Sequence, residues 1–183
     1  MNDISLQKKQ LRREIAARLR ALPAEVRAVQ SARIQSAVLA SPEYQSAESI
    51  FLYIAMPTEP DTRGILARAL SDGKRVFVPK CLDCGEMLAV RIHGTDDLKP
   101  GAYGIPEPTD LSETAEPSAL DLILVPCVAA SKDGRRLGHG SGYYDRFLAK
   151  TAAKTLCLCF SAALSDGVPT DENDVLMDRI IAD

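Results

Sequence analysis

The chain has no excess of positive charge, no long apolar run and no complete set of metal ligands, and each absence excludes a class of function. Its 22 Lys and Arg against 25 Asp and Glu give a formal net charge of −3. A general binder of nucleic acid or anionic membrane needs a broad basic face, so any anion site here must be local. No stretch approaches the roughly 20 apolar residues that cross a bilayer. The basic, amphipathic beginning could mimic a transit peptide, yet Glu14 and good helix formers suit a folded helix as well. Cys81 to Cys84, "CLDC", is half a zinc site without a second pair. Cys157 and Cys159 are expected on opposite faces of a strand, and His93 and His139 stand alone in sequence. Five cysteines, an odd number, fit reduced thiols better than a disulfide framework, and the protein reads as cytoplasmic.

What is present suits a folded enzyme-sized unit. With 46% hydrophobic and 26% charged residues over 183 positions, one domain spanning 1–183 is expected. Leu11, Ile15, Leu19 and Leu22 recur at helical steps over about 5–22, and a second helix starts near Pro23, with Val26, Val29, Ile34 and Val38 among its apolar positions. "SIFLYIA" (49–55) is a continuous apolar run of the kind covered on both faces. "TRGILARALSDG" reads as a helix and "KRVFVP" as a second strand, which makes a βαβ unit with parallel strands. "EMLAVRI" is a further strand after a turn. Residues 94–119 hold four prolines and three glycines with no period, so a long loop bordering a site is expected there. "LDLILVPCVAA" and "TLCLCFSA" read as buried strands, "YYDRFLAKTAA" as a helix, and "DENDVLMDRIIAD" as an acidic turn with an edge strand. Strands and helices alternate, so the fold class is α/β.

The stretch "RRLGHGSGYYDR" (135–146) carries Gly138, Gly140 and Gly142 between a buried strand and a helix, beside Arg135 and Arg136. Open α/β sheets bind ligands beyond the carboxyl ends of their strands, and alternating glycines let successive N–H groups turn toward one anion. The alternative is a tight connection that needs positive φ. Tyr143 stands where G-x-G-x-x-G needs its last glycine, and no G-x-x-x-x-G-K-[ST] occurs. Lys8 and Arg12 are neighbours four apart on one helix face. They are either two solvated cations or a pair bridged by phosphate. Asp145 and Asp174 are candidate hard-oxygen ligands, or ordinary helix-end and turn acids. Glu59 follows the first strand and could accept two parallel hydrogen bonds from an aminopyrimidine edge, or be a loop acid.

Taken together, "KKQLR", "MPTEPDT", "YGIPEP", "LDLILVPCVAASKDGRRLGHGSGYYDR" and "VPTDENDV", in this order, resemble the 5-formyltetrahydrofolate cyclo-ligase family over nearly the whole chain. The resemblance implies a three-layer α/β/α fold with a mostly parallel sheet, like sugar-phosphate isomerases and CoA transferases. It implies ATP and 5-formyltetrahydrofolate as small-molecule substrates, with Mg2+; a monomer is expected, although the sequence itself does not reveal oligomeric state. Lys8, Arg12 and Arg136 would then hold nucleotide phosphates, with the backbone of Leu137, Gly138, His139, Gly140, Ser141, Gly142, Tyr143 and Tyr144 forming the phosphate loop. Arg136 and Lys8 would be catalytic. Asp145 and Asp174 would hold the metal, and Ile54, Glu59 and residues His139 to Tyr143 would contact the folate. Cys127 and Ala130-Ser131 depart from the family's usual residues. A sugar-phosphate isomerase using the same loop, and a silent nucleotide- or folate-binding module, are the competing readings. The first needs neither ATP nor the Lys8/Arg12 pair.

Overall fold

The computed structural model describes residues 3–183 except 84, 102 and 103. Cys84 of the cysteine pair and Tyr103 of the loop motif therefore lie outside the described residues. Helices α1 (Asp3–Ala21), α2 (Ala24–Leu39) and α3 (Pro42–Ser46) come first, followed by β1 (Ser49–Leu52), α4 (Arg63–Ser71), β2 (Arg75–Cys81) and β3 (Met87–Ile92). Short strands β4 (Leu98–Pro100), β5 (Pro106–Pro108) and β6 (Thr114–Ala115) precede β7 (Leu122–Pro126). The remainder is β8 (Ala129–Ala130), β9 (Arg136–Leu137), α5 (Tyr143–Leu148), β10 (Lys154–Leu158) and β11 (Arg179–Ile181).

The main sheet runs β11-β10-β7-β1-β2-β3-β6 and is flanked by helices. Its first five strands are parallel, and β3 and β6 extend it antiparallel, so the α/β class with a mostly parallel sheet holds. β1 and β7 are buried at every position, as parallel strands covered on both faces must be. Strand order reverses direction between β1 and β7. β2 continues from β1 to one side, while β10 and β11 continue from β7 to the other. Such a switch point leaves a crevice at the carboxyl ends of the two strands.

Helix α1 buries Ile15 and Leu19 from its apolar face, as its period predicts. α2 turns differently from its reading, with Val26 and Val29 exposed and Ser31, Ile34 and Val38 buried. The reason is polar: the Ser31 hydroxyl accepts the Asp61 N–H at 3.1 Å, which brings a serine onto the packed face. The 94–119 stretch is also more ordered than expected, since β4 pairs with β5 and β6 joins the main sheet. Pro100, Pro106 and Pro108 lack the N–H of a ladder and disguise these strands in sequence. Finally, Cys157 and Cys159 do not point apart. The buried Cys127 thiol donates to the Leu158 carbonyl at 3.7 Å, and the neighbouring Cys157 and Cys159 thiols, with burial, hold its pKa well above the ordinary thiol value. Residues two apart on a strand share a face, and the three thiols form one buried cluster.

Candidate active site

A cavity of about 830 Å³ opens at the switch point, between Tyr53-Ile54 beyond β1 and Pro126 at the end of β7. Every site residue named from the sequence lines it: Lys8, Arg12, Ile54, Glu59, Arg136 through Asp145, and Asp174. Ile105, Pro106 and Glu107 from the proline-rich stretch line it too, with Glu107 held by Lys80 at 2.6 Å.

The glycine segment does not follow the buried strand directly, because the β8–β9 hairpin intervenes. That hairpin separates the two arginines. Arg135 is half-exposed, pairs with Asp133 at 3.3 Å and does not line the cavity. Arg136 is buried: its Nε donates to the Pro126 carbonyl at 2.8 Å and its Nη1 to Asp145 Oδ1 at 3.1 Å. Its guanidinium also lies over the Tyr144 ring at 5.3 Å. α5 is seated by Phe147, which stacks on Phe51 of β1 at 4.8 Å. Asp145, in the first turn of α5, is thereby carried to Arg136.

Each glycine meets a local steric need. Gly140 and Gly142 have φ of 111° and 69°, and a Cβ on Gly138 would lie 2.7 Å from Arg136 Nη2. The glycine pattern alone is therefore explained without a ligand. The N–H groups of His139, Gly140, Ser141 and Gly142, the first three on exposed residues, have no acceptor among the described residues and are free to bond water or a ligand. Arg12 stands over this segment and donates from Nε to the Gly138 carbonyl at 2.8 Å.

Lys8 has the neutralising partners that its own helix lacks. Its Nζ reaches Asp171 Oδ2 at 2.5 Å and Asp174 Oδ2 at 2.6 Å. Burial works against the ammonium, but the hydrogen bonds and charges of Asp171 and Asp174 outweigh it and raise the Lys8 pKa. In turn the Lys8 hydrogen bond, helped by the Asn173 N–H, lowers the Asp171 carboxyl. The Asp171 N–H also donates to Asp174 at 2.6 Å, which shapes the acidic turn.

On the opposite wall Glu59 is buried. Its Oε2 accepts the Met56 N–H at 2.9 Å and its Oε1 lies 3.2 Å from His139 Nε2. The backbone around it is fixed by Thr62, whose hydroxyl donates to the Tyr53 carbonyl at 2.6 Å, and by the Tyr53 hydroxyl on the Pro60 carbonyl at 2.9 Å. The Tyr144 hydroxyl is buried without a partner among the described residues. Burial first, then the charge of Glu59, raises its pKa, so it remains a protonated donor in the cavity wall.

The donor set suits a magnesium ion bound together with phosphate. Among the described residues no cluster of three His, Cys, Asp or Glu could hold a metal alone. Asp145 Oδ2 and Asp174 Oδ1 each have no partner among the described residues. Two carboxylates with free oxygens, completed by phosphate and water, fit the ion's preferences.

Among the lining residues that sequence reading did not name for the site are Asp171 and Arg146. Asp171 lies within the acidic turn and its spacing of three from Asp174 was a usable signal. Arg146 reaches a turn 61 residues away, for which no local pattern exists.

The family model of the 5-formyltetrahydrofolate cyclo-ligase family matches residues 4–183. A 5-formyltetrahydrofolate cyclo-ligase from Mus musculus is 32% identical, covering 95% of this chain and 92% of its own length. A probable 5-formyltetrahydrofolate cyclo-ligase from Schizosaccharomyces pombe is 31% identical, with 97% and 96% covered. Among solved structures, a 5,10-methenyltetrahydrofolate synthetase from Aquifex aeolicus superposes with a TM-score of 0.85 at 30% identity, covering 96% of this chain and 89% of that one.

Proposed function

Because the chain belongs to the 5-formyltetrahydrofolate cyclo-ligase family, a family of ligases, we propose that it converts 5-formyltetrahydrofolate to 5,10-methenyltetrahydrofolate, with ATP cleaved to ADP and phosphate. The observation that carries this reading is the joint lining of one cavity by Lys8, Arg12, Arg136, the glycine segment, Asp145, Asp174 and, opposite them, buried Glu59. The protein would act as a cytoplasmic monomer, one domain over residues 1–183. Among the described residues no helix is long and apolar enough to cross a membrane.

The chemical difficulty is the formyl group, an amide-like carbonyl whose oxygen leaves poorly. Attack of that oxygen on the γ-phosphate of ATP releases ADP and gives an N5-iminium phosphate. N10 then adds to the activated carbon and gives up its proton to solvent, and phosphate departs with the oxygen as the methenyl bridge forms. Phosphoryl transfer asks a protein for positioning and charge neutralisation more than for a covalent nucleophile. Lys8, Arg12 and Arg136 bind and orient the phosphates, while the 138–142 backbone donates to their oxygens. Asp145 and Asp174 would hold magnesium, which when bound neutralises charge on the phosphate chain. Glu59 takes hydrogen bonds from the folate, Ile54 packs against it, and His139 links Glu59 to the phosphate segment. The cavity wall thus brings the formyl oxygen and the γ-phosphate to a common point.

The test is direct. Protein, Mg-ATP and 5-formyltetrahydrofolate are mixed and the near-ultraviolet absorbance of the methenyl product is followed. ATP-dependent growth of that band is expected; no band, or a band without ATP, overturns the reading.

A further inference from the structure

Arg146 has no role in the assignments above, yet it makes more hydrogen bonds to the backbone than any other cavity cation. Its Nη2 donates to the Ser141 carbonyl at 2.9 Å and to the Gly85 carbonyl at 2.7 Å, and its Nε donates to Gly85 again at 3.0 Å. The guanidinium lies over the Tyr143 ring at 5.5 Å, and the Tyr143 hydroxyl donates to the Leu82 carbonyl at 3.1 Å. One face of α5 is thus tied twice to the turn between β2 and β3.

The Ser141 contact fixes a peptide plane. In a trans peptide a carbonyl and the following N–H point to opposite sides, so holding the Ser141 oxygen also sets the direction of the Gly142 N–H. Glycine at position 142, with φ of 69°, makes rotation of that plane cheap, because no Cβ resists either orientation. The Gly142 N–H itself has no acceptor among the described residues that could hold it. Arg12 does the same at the start of the segment, capturing the Gly138 carbonyl and so setting the His139 N–H. The far anchor is built for close approach: Gly85 has φ of 82°, and a Cβ there would stand 3.1 Å from Arg146 Nη2.

We propose that Arg146 is a positioning residue for nucleotide binding. It locks the 141–142 peptide against the β2–β3 turn so that the Gly142 N–H is preset toward phosphate. The proposal rests on reading the cavity as an ATP site. It is geometric rather than purely electrostatic, because two carbonyls 56 positions apart in sequence must be held by one planar fork. A lysine ammonium at this position keeps the charge but loses the fork.

Calorimetric titration of the full-length protein with Mg-ATP, alongside steady-state KM values for ATP and folate, separates these roles. Arg146→Ala is expected to raise the Kd and KM for ATP about tenfold, the scale of one charge-assisted hydrogen bond, and to leave the folate KM within about twofold. Arg146→Lys is expected to show the same loss. Arg146→Gln keeps one donor and should fall between, and it serves with Lys if the alanine variant does not fold. Unchanged ATP affinity in Arg146→Ala, or full recovery in Arg146→Lys, overturns the proposal. The wild-type titration run in parallel isolates the premise. If wild type does not bind ATP, the nucleotide reading itself fails. If it binds and the variants bind equally, only the role of Arg146 fails.

Discussion

The two walls of the cavity solve opposite problems. On the wall formed by α1, the β8–β9 hairpin and α5, each cation is held by oxygen before any substrate arrives: Lys8 by two aspartates, Arg12 by a carbonyl, Arg136 by Asp145 and Pro126. On the wall beyond β1 a single buried carboxylate, Glu59, is flanked by Ile54, Met56 and Tyr53. The cationic wall can therefore exist in a protein of net charge −3 without long-range attraction for polyanions. Its charges are preorganised by partners that a phosphate and its metal can share or displace. The apolar wall does its work by exclusion, leaving few polar groups to which a flat heterocycle can bond.

The sharpest way to break this contrast is Arg136→Ala. It removes the proposed phosphate donor and leaves Asp145 facing a buried gap, because the Arg136 side chain is only 4% exposed. Turnover is expected to fall about 10²–10³-fold, and stability by about 3–5 kcal/mol, read from steady-state rates and denaturant midpoints. Turnover within tenfold of wild type would mean that Arg136 is structural only.

Glu59→Gln tests the other wall. The change keeps the shape while removing the charge, and the folate KM should rise about tenfold while the ATP Kd stays put. Parallel loss of both affinities would show that the two walls are not separable.

Asp174→Asn is expected to raise the magnesium concentration for half-maximal rate several-fold, whereas Asp171→Asn, at a more exposed position, should leave it nearly unchanged. Equal responses would remove the distinction between ligand and bystander in the acidic turn.

The smallest effect concerns acid. The Asp171 pKa is lowered in the folded protein, so its link to Lys8 contributes stability above the ordinary carboxylate range and loses it as pH falls through the lowered value. The Lys8 pKa is raised, so its share is present below the ordinary lysine value and lost as pH climbs through the raised one. Thermal midpoints should decline more steeply on the acid side in wild type than in Asp171→Asn. Identical slopes would show that the pair adds nothing, as many exposed ion pairs do.

Much of this architecture was legible in the sequence. Continuous apolar runs marked β1, β7 and β10, and the βαβ spacing predicted the parallel pairing of β1 with β2. Lys8, Arg12, Glu59 and Asp174 all face one cavity, although nearly the full length of the chain separates the first from the last. What escaped has physical causes. Prolines hid β4 and β5, and Ser31 hid the true inner face of α2 behind exposed valines. The partners of Lys8 and Arg146 lie across the fold, where no periodicity can indicate them. The absence of either common nucleotide fingerprint was informative. It pointed away from dinucleotide-binding and P-loop folds, while the β8–β9 hairpin that precedes the glycine segment carried no signal in the sequence.

The bridge from Lys8 to the acidic turn spans 163 and 166 positions of sequence. Closing so large a loop is entropically costly and comes late in folding, since distant contacts form after local ones. A nascent chain can therefore complete its helices and much of its sheet while Lys8 has no carboxylate to meet. The cationic wall becomes balanced only once residues 171–174 have been made and docked.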